Sequence, residues 1–197
     1  MSRPIAAALI MGGKSRRMGD GIDKAQLTID ETGEPLWRIQ LGKLAALEPA
    51  ELFISKRHDQ AGFEFPGAEF VPDAKPEAGP LAGIAACLKR ATQPLLLCLA
   101  VDMPRVTSAF LDQQLLARAD AERGLVPRID GRWEPFAAVY PSRLADLAFR
   151  CLETDDLSLQ SFIRKAELQT WDVEPREQSW FVNINTPEDL AVIQPQS

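Results

Sequence analysis

Short, continuous apolar runs alternate along the chain with segments whose apolar residues recur every three to four positions. Residues 5–11 (IAAALIM) carry no polar side chain and stop at Gly12 and Gly13, the pattern of a strand buried on both faces of a parallel sheet. Residues 36–47 (LWRIQLGKLAAL) set Leu36, Ile39, Leu44 and Leu47 near helical spacing, and 52–55 return to strand character. A third strand is predicted at 68–71, before Pro72 and Asp73, and a helix at 81–91, where Pro80 suits the first turn. The clearest strand follows at 95–101 (LLLCLAV), halted by Asp102-Met103-Pro104. Thr107 or Ser108 caps a helix reaching about residue 119. Beyond it the pattern predicts a strand near 124–127, an extended segment at 136–140 and a helix at 141–152. A short helix at 158–165, strands near 168–173 and 180–182, and a helix opened by Thr186-Pro187-Glu188-Asp189 complete the chain.

This βαβα order predicts a three-layer α/β/α fold with a mainly parallel sheet. Ligands of such sheets sit beyond the carboxyl ends of the strands. The residues that follow each apolar run are therefore the candidates: 12–24 after the first, Ser55 after the second, Asp73 after the third and Asp102 after the fourth.

Composition narrows the chemistry. With 197 residues, 46% hydrophobic and 25% charged, the chain is expected to form a single domain over 1–197 with a core of its own. One His excludes a His-rich metal site, and three Cys without CxxC spacing suggest neither a disulfide framework nor structural zinc, which fits a reducing cytoplasm. The first apolar run is too short for a membrane span and leads into Lys14, Arg16 and Arg17 instead of a cleavage site. Net charge is −6, yet residues 1–24 carry a local +3 against −9 in the remainder. A cationic pocket on an acidic body suits a small anionic ligand and disfavours nucleic acid.

The glycine-rich turn GGKSRRMG at 12–19 lets backbone N–H groups approach phosphate oxygens, while Lys14 and Arg17 offset their charge. It matches neither GxxxxGK[ST], since Ala8 replaces the first glycine, nor GxGxxG, since Lys14 replaces the second. Read blandly, it is a solvated basic turn. Asp102, at the end of a buried strand, is placed to hold Mg²⁺, a hard cation that shares oxygen ligands with substrate phosphates; the plainer alternative is a turn cap. Asp73, between Pro72 and Ala74, admits the same two readings, with ordinary turn chemistry the plainer one, and the plain reading of Lys24 is a surface charge. Thr186, Pro187, Glu188 and Asp189 are explained as a helix start, whereas Asn183 and Asn185, on one face of an extended segment, can aim two amides at a polar ligand or satisfy a local turn. Trp133, Phe136 and Tyr140 fill core or line a pocket, Cys98 reads as a small buried hydrophobe, and His58 reads as a solvated side chain with phosphate contact as the alternative.

Taken together, residues 11–19 followed by Asp23-Lys24, Gly79-Pro80-Leu81-Ala82-Gly83, Val101-Asp102-Met103-Pro104, Ala138-Val139-Tyr140 and the Asn183 to Leu190 segment resemble the molybdenum-cofactor guanylyltransferases of the nucleotidyltransferase superfamily. The blocks fall in the family's order over nearly the whole chain. The resemblance implies a Rossmann-like nucleotidyltransferase domain that moves GMP from GTP to the terminal phosphate of molybdopterin, releasing pyrophosphate. It implies that the backbone of Met11, Gly12 and Gly13, together with Lys14, Ser55 and Asp73, holds the nucleotide. Lys24, Asp102 and Arg17 are then the catalytic set, Asp102 binds Mg²⁺, and Asn183 and Asn185 bind the acceptor. Partners implied are GTP, molybdopterin, cofactor-delivery proteins and recipient molybdoenzymes. Met11 and the long spacing before Asp23-Lys24 keep open a sister activity with CTP or a sugar-phosphate acceptor, and a nucleotide-binding carrier without chemistry is the third reading.

Overall fold

The computed structural model describes residues 3–11, 24–29, 33–57, 63–184 and 189. Strand β1 (Arg3–Ile10), helix α1 (Leu36–Ala45), β2 (Pro49–Lys56), β3 (Ala68–Pro72), α2 (Pro80–Arg90) and β4 (Leu95–Ala100) follow in that order. After them come α3 (Ser108–Phe110), continuing as a π-helix over Leu111–Leu116, then β5 (Val126–Ile129), β6 (Arg132–Trp133) and β7 (Ala137–Pro141). Helices α4 (Ala145–Glu153) and α5 (Leu159–Ala166), strand β8 (Thr170–Asp172) and a 3-10 helix at Pro175–Phe181 close the described chain.

The main sheet runs β3-β2-β1-β4-β7, parallel throughout except for β7, which is antiparallel to β4. Helices cover both faces, which is why its inner strands lack the alternation of a half-solvated sheet. Ala7 and Leu9 of β1 and Leu97 and Leu99 of β4 pack with Leu36, Leu41 and Leu44 of α1 and with Phe110 and Leu115. Their neighbours Ala6, Ala8, Ile10, Leu96 and Cys98 face α2, α4 and α5 through Leu81, Ile84, Ala148, Leu152 and Phe162. Three layers result, as the order of elements predicts. Among the described residues, no helix is long and apolar enough to cross a membrane.

Cys87, Cys98 and Cys151 are free and buried, all in the second of these two cores. Tyr140 is fully buried and its hydroxyl donates to the Pro135 carbonyl at 2.7 Å, whereas Trp133 and Phe136 are only partly buried against the core.

Four features depart from the sequence pattern. A second sheet, β6-β5-β8, stands beside the first and is joined to it where Leu125 and Val139 exchange backbone hydrogen bonds at 2.8 Å. Gly124 makes that approach possible: its φ is +61°, and a Cβ there would run into the Val139 carbonyl. The helix predicted to about residue 119 opens as expected, with Thr107 accepting from the Phe110 N–H at 3.1 Å, but widens so that the Ala117 N–H reaches Asp112, five residues back. The buried face of α1 is Leu36, Trp37, Gln40, Leu41 and Leu44, with Ile39 at its margin. The strand predicted at 180–182 is not formed, since Trp180 and Phe181 lie at the end of the 3-10 helix and Val182 just beyond it. Both aromatic rings lean on Phe110, at 5.6 and 5.5 Å between centroids, and a strand would send adjacent side chains to opposite faces. The helix start at residues 186–188 lies outside the described residues.

Candidate active site

The strand order brings three of the candidate positions to one end of the sheet. Ser55 is the in-register partner of Ile10, and Ile10 of Ala100, so the residues leaving β1, β2 and β4 emerge side by side. Backbone bonds continue the pairing past the strands: the Met11 N–H donates to Ser55 at 2.9 Å and the Val101 N–H to Ile10 at 3.2 Å. Asp73 follows β3 on the far side of β2, and its N–H donates to Lys56 at 3.2 Å. Met11, Ser55, Asp73 and Asp102 thus stand at the same end of the sheet.

Lys24 reaches this edge from the segment after β1. Its Nζ lies 3.5 Å from Asp102 Oδ2, with the side chains only 14% and 25% exposed. Burial lifts the Asp102 carboxyl above the ordinary carboxylate range, and Lys24 opposes that rise without cancelling it. A partly buried carboxylate at a strand end, with Lys24 as its ion-pair partner, is the kind of oxygen ligand a hard cation takes. Among the described residues no three His, Cys, Asp or Glu side chains gather as metal ligands. A Mg²⁺ ion fits such a site in the manner usual for that metal, through one carboxylate, substrate phosphates and water.

The C-terminal segment joins the same edge. The Ile184 N–H donates to the Asp102 carbonyl at 2.9 Å, which sets Asn183 beside the strand end. The Oδ1 of Asn183 is buried and has no hydrogen-bond partner among the described residues, an arrangement that costs energy unless a ligand supplies a donor.

A second cluster forms on the other side of β1. Ser55 is fully buried and its hydroxyl donates to Asp73 Oδ1 at 2.9 Å. Helix α2 presses against this pair at Gly83, where a Cβ would collide with Ser55 Oγ and stand 3.1 Å from Asp73 Oδ1. Burial, with Asp73 adding to it, pushes the neighbouring Cys87 thiol far above its usual range, so it is inert as a nucleophile. Gly83 was legible only as part of the Gly79 to Gly83 motif, and nothing in periodicity points to its close contact. Gly12, Gly13, Lys14, Arg17 and Asn185 lie outside the described residues, as does His58.

A family profile described as "MobA-like NTP transferase domain" matches residues 7–170, most of the chain and all of the strand ends just described. The chain belongs to the MobA-like NTP transferase family. It is a nucleotidyltransferase, in keeping with a crevice built on Lys24 and Asp102. Among its relatives in this family, a probable molybdenum cofactor guanylyltransferase of Opitutus terrae is 35% identical over 94% of this chain and 92% of its own. A molybdenum cofactor guanylyltransferase of Pseudomonas fluorescens is 31% identical over 95% and 92%. The crystal structure of molybdopterin-guanine dinucleotide biosynthesis protein A from Archaeoglobus fulgidus superposes with a TM-score of 0.77 at 25% identity, covering 96% of each chain. A 2-C-methyl-D-erythritol 4-phosphate cytidylyltransferase from Thermus thermophilus, at 18% identity and a TM-score of 0.68 over 98% of each chain, shares the MobA-like fold.

Proposed function

We propose that the protein transfers GMP from GTP to the terminal phosphate of molybdopterin and releases pyrophosphate. The observation that carries this reading is the Lys24–Asp102 pair, 3.5 Å apart at the strand ends of a chain that a probable molybdenum cofactor guanylyltransferase matches over 94% of its length. The backbone at Met11, Gly12 and Gly13, with Lys14, would cradle the triphosphate, and Asp73, held by the buried Ser55 hydroxyl, would meet the nucleoside portion. Asp102 would hold Mg²⁺, which when bound supplies charge neutralisation at the transferred phosphate.

An oxygen of the acceptor phosphate attacks the α-phosphorus in line, and the bond to the β-phosphate oxygen breaks. Lys24 and Arg17, with the amides of the glycine-rich segment, would offset the charge that moves toward pyrophosphate. No imidazole base is needed, because a phosphate monoester has a second pKa near 6 and is already largely dianionic at neutral pH. Asn183 and Asn185 would orient the pterin. The chain's free, buried cysteines suit a reducing compartment, and we assign the reaction to the cytoplasm.

Pyrophosphate release, followed with purified molybdopterin and each of GTP, CTP and ATP, tests the assignment. Release should depend on molybdopterin and be fastest with GTP. A clear preference for CTP, or for a sugar phosphate as acceptor, would overturn it, and tight GTP binding with no product from any acceptor would leave a carrier.

A further inference from the structure

The loop that carries Asp102 is held from behind by one polar side chain of α1. Gln40 is fully buried, and its Nε2 donates to the carbonyls of Ala100 at 3.2 Å and Met103 at 2.8 Å. Those two carbonyls bracket Asp102. The amide oxygen of Gln40 accepts from Lys43 Nζ at 2.6 Å, and Lys43 also donates to the Pro104 carbonyl at 2.7 Å. With the Ile184 N–H on the carbonyl of Asp102 itself, four of the five carbonyls from residue 100 to residue 104 have a named donor.

We propose that Gln40 is a positioning residue for Asp102: by fixing the backbone on both sides of it, Gln40 sets where the carboxylate points toward Lys24 and the metal. The inference rests on the reading of Asp102 as the metal-holding residue. The chemistry explains the residue type. A carboxamide offers two N–H groups to two carbonyls and keeps an oxygen for Lys43. Leu or Met at this position would take this donor from the buried Ala100 carbonyl and leave Met103 with the longer bond from the Val106 N–H at 3.3 Å, and Glu would set a negative charge against both. Such partners behind a ligand orient it, and their loss typically costs roughly 10–100-fold in metal affinity or activity.

The test is Mn²⁺ titration of the purified protein holding one equivalent of GTP, read by electron paramagnetic resonance against a protein-free Mn²⁺–GTP blank, alongside transfer kinetics and thermal unfolding. Gln40→Met should fold and raise the half-saturating Mn²⁺ concentration roughly ten-fold or more. Leu44→Ala, a truncation on the same buried face of α1, should lower stability while leaving Mn²⁺ affinity as in the parent protein. Equal Mn²⁺ affinities for Gln40→Met and the parent, or the same profile for Gln40→Met and Leu44→Ala, would overturn the proposal. If Gln40→Met does not fold, Lys43→Met decides, since it frees Gln40's oxygen from its tether and should weaken Mn²⁺ in the same direction; unchanged affinity overturns the proposal. Asp102→Asn is the separate check on the underlying reading: Mn²⁺ binding that survives it removes Asp102 from the metal site, whatever Gln40 does.

Discussion

Replacing Gly83 by Ala sets two effects against each other, and the structure says which one wins. In a helix interior the change should stabilise by about 1 kcal/mol, because Gly carries the larger backbone entropy cost. Here the new methyl would meet Ser55 Oγ closer than side chains pack, so the hydroxyl must rotate away from Asp73, to which it donates at 2.9 Å. A hydrogen bond to a carboxylate contributes about 1.5–3 kcal/mol, and overpacking a dense core adds about 1–3 kcal/mol of strain, partly relieved as Ser55 moves. The balance is a net loss of about 1–2 kcal/mol, and at about 2–4 °C per kcal/mol for a chain of this size the melting temperature should fall by about 2–8 °C. A double-mutant cycle with Ser55→Ala, followed by urea unfolding, isolates the contact. Without the hydroxyl, the atoms nearest the new methyl are Asp73 Oδ1 at 3.1 Å, on a partly exposed side chain, and the Cβ of residue 55 at 3.4 Å. In that background Gly83→Ala should be neutral or stabilising by up to about 1 kcal/mol, a coupling of about 2 kcal/mol. A rise in stability for Gly83→Ala alone, or effects that simply add, would refute the claim that α2 is held against the Ser55–Asp73 pair by the missing Cβ.

Two more outcomes follow from the buried charges. Because burial raises the Asp102 pKa, its ionisation costs the folded state more as pH rises through the folded value; Asp102→Asn should therefore melt higher than the parent at pH 7, by a margin that vanishes near pH 3, while transfer is lost. A margin independent of pH would contradict this. Burial lowers the Lys43 pKa from 10.5 to about 8, so between those values the unfolded chain binds the extra proton and the Lys43 contribution rises with pH; the Cys87 and Cys98 thiols, which burial keeps protonated in the folded state, pull the other way in both proteins, so the urea midpoint of the parent should gain on that of Lys43→Met across the window.

The strands of the parallel sheet were legible because burial on both faces leaves uninterrupted apolar runs, and the ends of those runs located Ser55, Asp73 and Asp102 without any further signal. The direction of β7 was not, since an apolar run reads the same either way. Nor was the 3-10 helix over Trp180 and Phe181: an aromatic pair beside Val182 has strand propensity, and only the position of Phe110 decides that both rings face one way. Gln40 is instructive for the opposite reason. It lies four residues after Leu36 and four before Leu44, squarely on the stripe that α1 buries, so its polarity at that position was a visible anomaly. What the sequence does not contain is the identity of its acceptors, sixty positions away in the loop after β4.

The three cysteines, scattered over α2, β4 and α4, are packed into the same layer between the sheet and its second helical face. A thiol reagent can reach any of them only when that layer opens. The protein therefore carries its own set of reporters: alkylation rates in native buffer, resolved by peptide mass, would give the opening free energy of one helical layer at three positions with no engineered label. Adding GTP to the same experiment would show whether occupancy of the crevice on the strand ends is felt through Cys98, which lies on β4 four residues before Asp102.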